Sequence, residues 1–125
     1  MTASVDATQI AATLPTVLAD RDRHAVERLL APDVRWGSQE ETAQTCHDRD
    51  RAGDTYAALL AAGVHLHVLD THVDENKVLA HLAVIDPRDD GTADYHLRVL
   101  LTVQNGLVDD ILQLDDDEPP STTLQ

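Results

Sequence analysis

The sequence contains few aromatic or sulfur-containing residues: it has no phenylalanine, one tryptophan, one cysteine and one methionine. With only Cys46 available, an internal disulfide is excluded. No apolar run approaches the ~20 residues of a bilayer-spanning helix. The N-terminus also lacks the basic flank and long apolar stretch of a signal peptide. We therefore expect a cytoplasmic protein.

Positive charge is scarce as well. Nine lysine and arginine residues stand against 23 aspartates and glutamates, which gives a formal net charge of −14. A field of this sign repels polyphosphates and anionic lipid surfaces. Nucleic acid and membrane are therefore not expected as partners.

The length and hydrophobicity of the chain fit one domain. Its 125 residues, of which 42% are hydrophobic, suffice for a single core. The end of the chain is acidic and then rich in proline and threonine, which is typical of a frayed terminus. We expect one domain over residues 1–118 and a flexible tail over residues 119–125.

The first half of the chain has helical patterning. Apolar spacing predicts a helix in "SVDATQIAATLPTVLADRD", capped by Ser4 and kinked or restarted at Pro15. A second helix, in "DRHAVERLLAPDV", is expected to stop at Pro32 and to lead into a short extended piece, "DVRW". A third helix, in "DRDRAGDTYAALLAAGV", is capped by Asp48 and ended by Gly63.

The second half reads as two β-hairpins. The segment "VHLHVLDTHVDENKVLAHLAVID" contains two strands joined by a turn at residues 74–76. The segment "DYHLRVLLTVQNGLVDDILQLDD" contains two more around Asn105 and Gly106, a pair that suits the positive φ angles of a type I′ turn. Three helices followed by four antiparallel strands predict an α+β fold with the helices on one face of the sheet.

The second hairpin raises a question about Asp110. A two-residue turn at Asn105 and Gly106 pairs Gln104 with Leu107, and strand alternation then defines one face of the hairpin. That face is apolar apart from one carboxylate; its members are Leu97, Val99, Leu101, Val103, Val108, Asp110, Leu112 and Leu114.

A carboxylate among aliphatic side chains requires an explanation, because leaving it ionised and dry costs several kcal/mol. If Asp110 is desolvated, its pKa is raised and it becomes a candidate general acid or base. Alternatively, Asp110 finds a donor in the helical layer or sits at an exposed rim. A wrong register is the third alternative.

Histidines cluster in the first hairpin. His65, His67 and His81 are expected on one side of their strands, where three imidazoles could hold zinc or copper. The alternating residues Val64 and Leu66 make the better core face, which leaves the histidines on the outer surface. We expect no metal. His81 lies in an apolar run and is a hydrogen-bonded core or interface residue, or a catalytic polariser.

The strings "LLAPDVRW", "CHDRDRAGDTYAALLAAG" and "VLLTVQNGLVDDILQLDD", in this order, resemble the nuclear transport factor 2-like superfamily, specifically its small SnoaL-like members. The resemblance covers about residues 5 to 115. It implies a cone-shaped fold, in which a strongly curved antiparallel sheet wraps around three N-terminal helices and encloses an apolar cavity. It also implies homodimers formed through the convex sheet face.

The resemblance assigns several residues. SnoaL-like cyclases carry an acid/base carboxylate on a late strand, in a stretch comparable to that of Asp110. Trp36 and Tyr56 fall where the family often places pocket-lining aromatics; the alternative is that each simply fills the core. The His-Trp pair that the cyclases often have in the last strand is replaced here by Asp110 and Ile111, and the tyrosine and aspartic acid pair of ketosteroid isomerases is not found. The candidate ligand-binding residues are Trp36, Tyr56, Tyr95, Val99, Leu101 and Leu112.

Two functions remain open. In the first, the protein is a cofactor-independent isomerase, cyclase or lyase (dehydratase type) that moves a proton on a hydrophobic small molecule, with Asp110 as base and Tyr56 or His81 as polariser. Superfamily members include polyketide cyclases, ketosteroid isomerases, dehydratases and epoxide hydrolases. In the second, the protein is a non-catalytic ligand-binding or dimerisation module in which Asp110 is structural.

Overall fold

The computed structural model describes residues 5–43, 45–85 and 94–114, except for the side chains of residues 94 and 95. The predicted cap Ser4 and the expected tail over residues 119–125 lie outside this part, so the domain boundary stays a prediction. In chain order the elements are α1 (Val5–Asp20), α2 (Arg23–Glu27), β1 (Leu30–Gly37), α3 (Arg49–Ala61), β2 (His65–Asp74), β3 (Lys77–Ile85), β4 (Asp94–Gln104) and β5 (Leu107–Leu114).

The strands form one five-stranded sheet in the order β1-β5-β4-β3-β2. Strand β1 runs parallel to β5, whereas the other neighbouring pairs are antiparallel. The predicted α+β class is confirmed. The prediction of four strands in a purely antiparallel sheet is wrong, because β1 adds a parallel edge strand between α2 and α3. The sheet is not strongly curled, so the expected cone shape is not confirmed.

The predicted end of the second helix at Pro32 is wrong. Helix α2 already ends at Glu27, and Pro32 lies inside β1. The pairing with β5 is irregular between Leu30 and Arg35. A proline is tolerated there because its missing N–H is not needed for the ladder at an irregular edge. The extended segment is therefore longer than the predicted "DVRW".

The helix boundaries follow local signals. The carboxylate of Asp48 accepts a hydrogen bond from the backbone N–H of Arg51 at 2.7 Å, which confirms the predicted cap of α3. Gly63, with φ +86°, ends the helix in the left-handed conformation as predicted. Helix α1 continues through Pro15 without a restart. No helix in the described ranges is long and apolar enough to span a membrane, and the cytoplasmic location stays a prediction.

The helices pack on one face of the sheet, which we call the inner face; the opposite side is the outer face. The buried core joins α1 and α3 to alternate residues of the strands, including Val78, Ala80, Leu82, Val99, Leu101 and Val103. The guanidinium of Arg21 donates hydrogen bonds to the backbone oxygens of Val64 and of Leu60, the latter at 3.1 Å. Arg21 thereby ties the corner after α1 to the end of α3.

The second hairpin has the predicted turn but not the predicted register. Asn105 and Gly106 have φ angles of +54° and +81°, and Val103 pairs with Val108 as expected. The next pair is Thr102 with Asp110, so β5 contains one extra residue, Asp109. This is a β-bulge, and it moves every later residue of β5 to the opposite face.

The bulge overturns the predicted pairing of Leu101 with Asp110. Leu101 pairs with Ile111 instead, and Leu112 pairs with Leu100 on the outer face. The prediction that Asp110 and Leu112 face the core is therefore wrong. The physical reason is that the bulge puts both adjacent aspartates of β5 outside the core, whereas a regular ladder would bury one of them.

The two hairpin turns allow a matched test of backbone strain. Gly106→Ala places a Cβ at φ +81° and is expected to lower the free energy of unfolding by about 1 kcal/mol. Glu75 already occupies the left-handed region at φ +56° in the other turn. Glu75→Gly is therefore expected to change stability by less than about 0.5 kcal/mol. Urea unfolding of both variants measures this, and equal losses would contradict the assigned turns.

Candidate functional site

A cavity of about 310 Å³ lies between the helices and the inner face of the sheet. Its lining is almost entirely aliphatic and comes from all three helices and all five strands. The lining residues whose side chains carry polar atoms are Trp36, Thr55, Tyr56 and Gln113. Within the described part of the chain, no aspartate, glutamate, histidine, lysine or arginine lines the cavity.

Several predicted ligand-binding residues lie at this cavity. Trp36, Tyr56, Val99 and Leu101 all line it. The backbone of Tyr95 pairs with Val84, but its side chain lies outside the described part of the structure. The ligand-binding role of each of these residues stays a prediction.

Tyr56 is the titratable residue of the cavity. It projects from α3 and is only 3% exposed. Burial raises the pKa of its phenol, and the positive charge of Arg21 opposes that shift in part. The hydroxyl is therefore protonated at neutral pH and can donate a hydrogen bond.

Trp36 is held at the cavity by its backbone. Its N–H donates to the carbonyl of Cys46 at 3.0 Å, and its carbonyl accepts from the N–H of Cys46 at 2.9 Å. Cys46 is buried, and its sulfur lies 3.4 Å from the hydroxyl of Thr55. Thr55 therefore has a partner inside the protein, and the Trp36 ring is anchored by two main-chain bonds.

Gln113 is a cavity residue that the sequence pattern did not predict, as is its neighbour Ile111. A regular hairpin register puts it on the outer face, whereas the bulge at Asp109 turns it inward beside Val99. The two consecutive aspartates of β5 are the signal that could have revealed this. A bulge places both carboxylates outside the core and leaves one uncharged amide at the cavity.

Asp110 lies away from the cavity, on the outer face. Its carboxylate is 3.9 Å from the guanidinium of Arg35, and its side chain is 35% exposed. Burial raises its pKa, whereas the charges of Arg35 and Lys77 act in the opposite direction. The predicted catalytic role of Asp110 is not supported by contact with the cavity. Its surroundings match the structural alternative, a partly exposed carboxylate with a partner.

His81 also lies on the outer face. In the strand register it is opposite Asp70 on β2 and opposite Arg98 on β4. Its ring meets that of His96 edge-on, with centroids 4.9 Å apart, while His65 and His67 stack at 6.2 Å. His81 therefore shares its face with His65 and His67, as predicted, and makes no contact with the cavity. Across the described ranges, no group of three or more histidine, cysteine, aspartate or glutamate side chains could hold a metal ion.

The family profile of the SnoaL-like domain matches residues 11–111. The chain belongs to the SnoaL-like domain family. No curated protein matches its sequence.

Solved structures with the same fold carry different activities in their names. A ketosteroid isomerase-like protein from Kribbella flavida matches with a TM-score of 0.74 and 20% identity, over 92% of this chain and 82% of that one. A polyketide cyclase-like protein from Sinorhizobium meliloti matches with a TM-score of 0.69 and 20% identity, over 85% of this chain and 94% of that one. An LEH-like epoxide hydrolase of M. tuberculosis matches with a TM-score of 0.68 and 14% identity, over 88% of this chain and 82% of that one. At these identities the similarity establishes the fold of this SnoaL-like protein, and its chemistry has to be argued from its own residues.

The raised pKa of Asp110 predicts a definite pH dependence of stability. The folded state holds the Asp110 proton more tightly than the unfolded chain, so its stabilising contribution is full below pH ~4 and is lost as the pH rises through the folded pKa. The difference in unfolding free energy between wild type and Asp110→Asn should therefore fall as the pH rises above about 4.

Glu27 supplies a control with the opposite sign. The hydrogen bond from Arg23 lowers its pKa, so its stabilising contribution is lost as the pH falls. The difference in unfolding free energy between wild type and Glu27→Gln, measured by urea unfolding, should rise as the pH is raised towards about 4.3 and stay constant above it. A rising difference for Asp110→Asn would mean that Arg35 outweighs burial at Asp110.

Proposed function

We propose that this SnoaL-like protein binds a neutral, hydrophobic small molecule in the cavity between its helices and its sheet. The observation that carries the proposal is the absence of any charged side chain from the described lining. An ionised ligand would lose its hydration there without gaining a counter-ion, which is costly. The volume of about 310 Å³ lies at the lower end of small-molecule pockets, which span about 300–1,000 Å³.

A binding role is favoured over proton-transfer catalysis. A general base must come within about 2.6–3.2 Å of the proton that it removes, directly or through one water. Asp110 and His81 lie on the outer face of the sheet, on the far side from the cavity. Tyr56 lies at the cavity, but its raised pKa keeps the phenol protonated at neutral pH, so it donates a hydrogen bond and is not available to accept a proton. The isomerase, cyclase and dehydratase hypotheses therefore lack a base among the described residues at the cavity.

A larger side chain in the cavity wall should weaken binding. Ala52 lines the cavity from α3, and Ala52→Leu adds three carbons to its wall. Ala58→Leu makes the same change at an exposed position of the same helix. With acetophenone, camphor and cumene as neutral probes in calorimetric titrations, we expect Ala52→Leu to weaken binding at least about tenfold and Ala58→Leu to leave it unchanged.

The anionic probe 4-isopropylbenzoate, which is cumene with a carboxylate, should bind far more weakly than cumene. Equal binding by wild type and Ala52→Leu, or no binding of any neutral probe, would contradict the proposal. The same samples in D₂O test the enzymatic alternative. Protein-dependent exchange of the acetophenone methyl protons would show that the cavity supports proton transfer after all.

We also propose that the protein forms a homodimer through its outer face. Leu79, Leu100 and Leu112 are cross-strand neighbours that form a half-buried apolar row on this face. The adjoining row carries alternating charge across the sheet and consists of Asp74, Lys77, Thr102, Asp110 and Arg35.

The charged row is complementary to itself. A two-fold axis parallel to the central strand β4 would place β3 over β5 of a second copy and β2 over β1. Lys77 would then face Asp110 of the second copy, and Asp74 would face Arg35. The same two-fold axis places Leu79 over Leu112 of the second copy. A single axis therefore satisfies both the apolar and the charged contacts.

Charge reversal tests this arrangement. Lys77→Asp alone and Asp110→Lys alone should each weaken dimerisation at least about tenfold, and the double variant should restore it because the pair is re-formed with reversed polarity. Glu40→Lys, an equal charge change in an exposed loop, is the control. Sedimentation velocity measures the outcome. A monomeric wild type, or a double variant as weak as the singles, would contradict the proposed interface.

A further inference from the structure

The phenol of Tyr56 is a buried polar group without a hydrogen-bond partner in the described part of the chain. The side chain is 3% exposed and lines the cavity, and its hydroxyl makes no hydrogen bond with any of the described residues. A buried hydroxyl that lacks a partner costs about 1–3 kcal/mol relative to a satisfied one. Such a group in a cavity wall is therefore expected to find its partner in whatever fills the cavity.

Two further polar groups at the cavity belong to half-buried residues. The side-chain amide of Gln113 and the indole N–H of Trp36 both lie in the cavity lining, and neither has a hydrogen-bond partner among the described side chains and backbone. Thr55 differs, because its hydroxyl already contacts the sulfur of Cys46. The unpaired groups come from separate elements: Tyr56 from α3, Gln113 from β5 and Trp36 from β1.

We propose that Tyr56 and Gln113 form a polar subsite that selects neutral ligands carrying a hydrogen-bond-accepting oxygen, such as a ketone or an ester. This inference rests on the proposed function, because it names the ligand class of the same cavity.

The balance of donors and acceptors determines the polarity of that ligand group. The Tyr56 hydroxyl, the Gln113 amide nitrogen and the Trp36 indole nitrogen are all donors, whereas the amide oxygen of Gln113 is the main acceptor. An accepting oxygen can therefore be satisfied more readily than a donating group. The nearby positive charge of Arg21 strengthens Tyr56 as a donor, and burial keeps its pKa raised so that the proton is retained.

A bound carboxylate would satisfy the same donors but is disfavoured. Amide, indole and phenol groups supply hydrogen bonds without a compensating charge, and the rest of the lining is aliphatic apart from the hydroxyl of Thr55. An anion would thus be buried without a cation in the described lining. The subsite therefore discriminates a neutral carbonyl from both a hydrocarbon and an acid of the same shape.

The test compares two isosteric probes, acetophenone and cumene, in which a ketone oxygen replaces a methyl group. Calorimetric titration of wild type, Tyr56→Phe and Gln113→Leu gives the affinity of each for both probes. We expect each substitution to weaken the binding of acetophenone about threefold to tenfold, and to leave the binding of cumene unchanged or make it tighter. Gln104→Leu, the same change at the exposed end of β4, should affect neither probe.

Stability supplies an independent readout that needs no ligand. Because the Tyr56 hydroxyl is unpaired, Tyr56→Phe should leave the thermal midpoint of the free protein unchanged or raise it. A lowered midpoint would show that the hydroxyl has an internal partner, and would overturn its assignment to the ligand.

The outcomes separate this inference from the proposed function. Suppose that both probes bind, and that both substitutions either leave the affinity for acetophenone unchanged or weaken the binding of the two probes equally. The polar subsite is then overturned, while the cavity remains a binding site. If neither probe binds to any variant, the proposed binding function itself falls. A selective loss of acetophenone in Tyr56→Phe and Gln113→Leu supports both.

Discussion

The cost of burying a carboxylate governs the arrangement of the last strand, and the cavity depends on that strand. A regular ladder after Asn105 and Gly106 would turn Asp110 towards the aliphatic core. One extra residue at Asp109 turns both aspartates outward and brings Ile111 and Gln113 to the inner face. The bulge removes the ladder hydrogen bonding of one residue. The free energy lost there is small compared with the cost of an ionised carboxylate in an apolar interior.

The consequence is a sheet with two chemically different faces. The inner face and the helices above it enclose a cavity whose described lining is uncharged, while Asp110, Lys77 and Arg35 share the outer face. This separation links the proposals. A neutral lining favours an uncharged ligand, and a row of alternating charge suits contact with a second copy of the same surface.

Membership of the SnoaL-like family sets the scaffold and leaves the chemistry to individual side chains. The three solved structures named above carry isomerase, cyclase and hydrolase activities in their names and share 14% to 20% identity with this chain. In this chain the cavity is lined by the phenol of Tyr56, which has no hydrogen-bond partner among the described residues, and by the amide of Gln113, while Asp110 lies on the opposite face. Function therefore has to be read from the site, because the same scaffold carries many reactions.

The sequence by itself determined the features that depend on neighbouring residues. The cap at Asp48, the helix end at Gly63 and the turn at Asn105 and Gly106 follow from local hydrogen bonding and from the φ angles that these residues accept. Only the tertiary structure decided the parallel pairing of β1 with β5, the bulge, and the place of Gln113 in the cavity. Those features depend on which surface each strand meets, because a single extra residue exchanges the two faces and its cost is set by contacts distant in the chain.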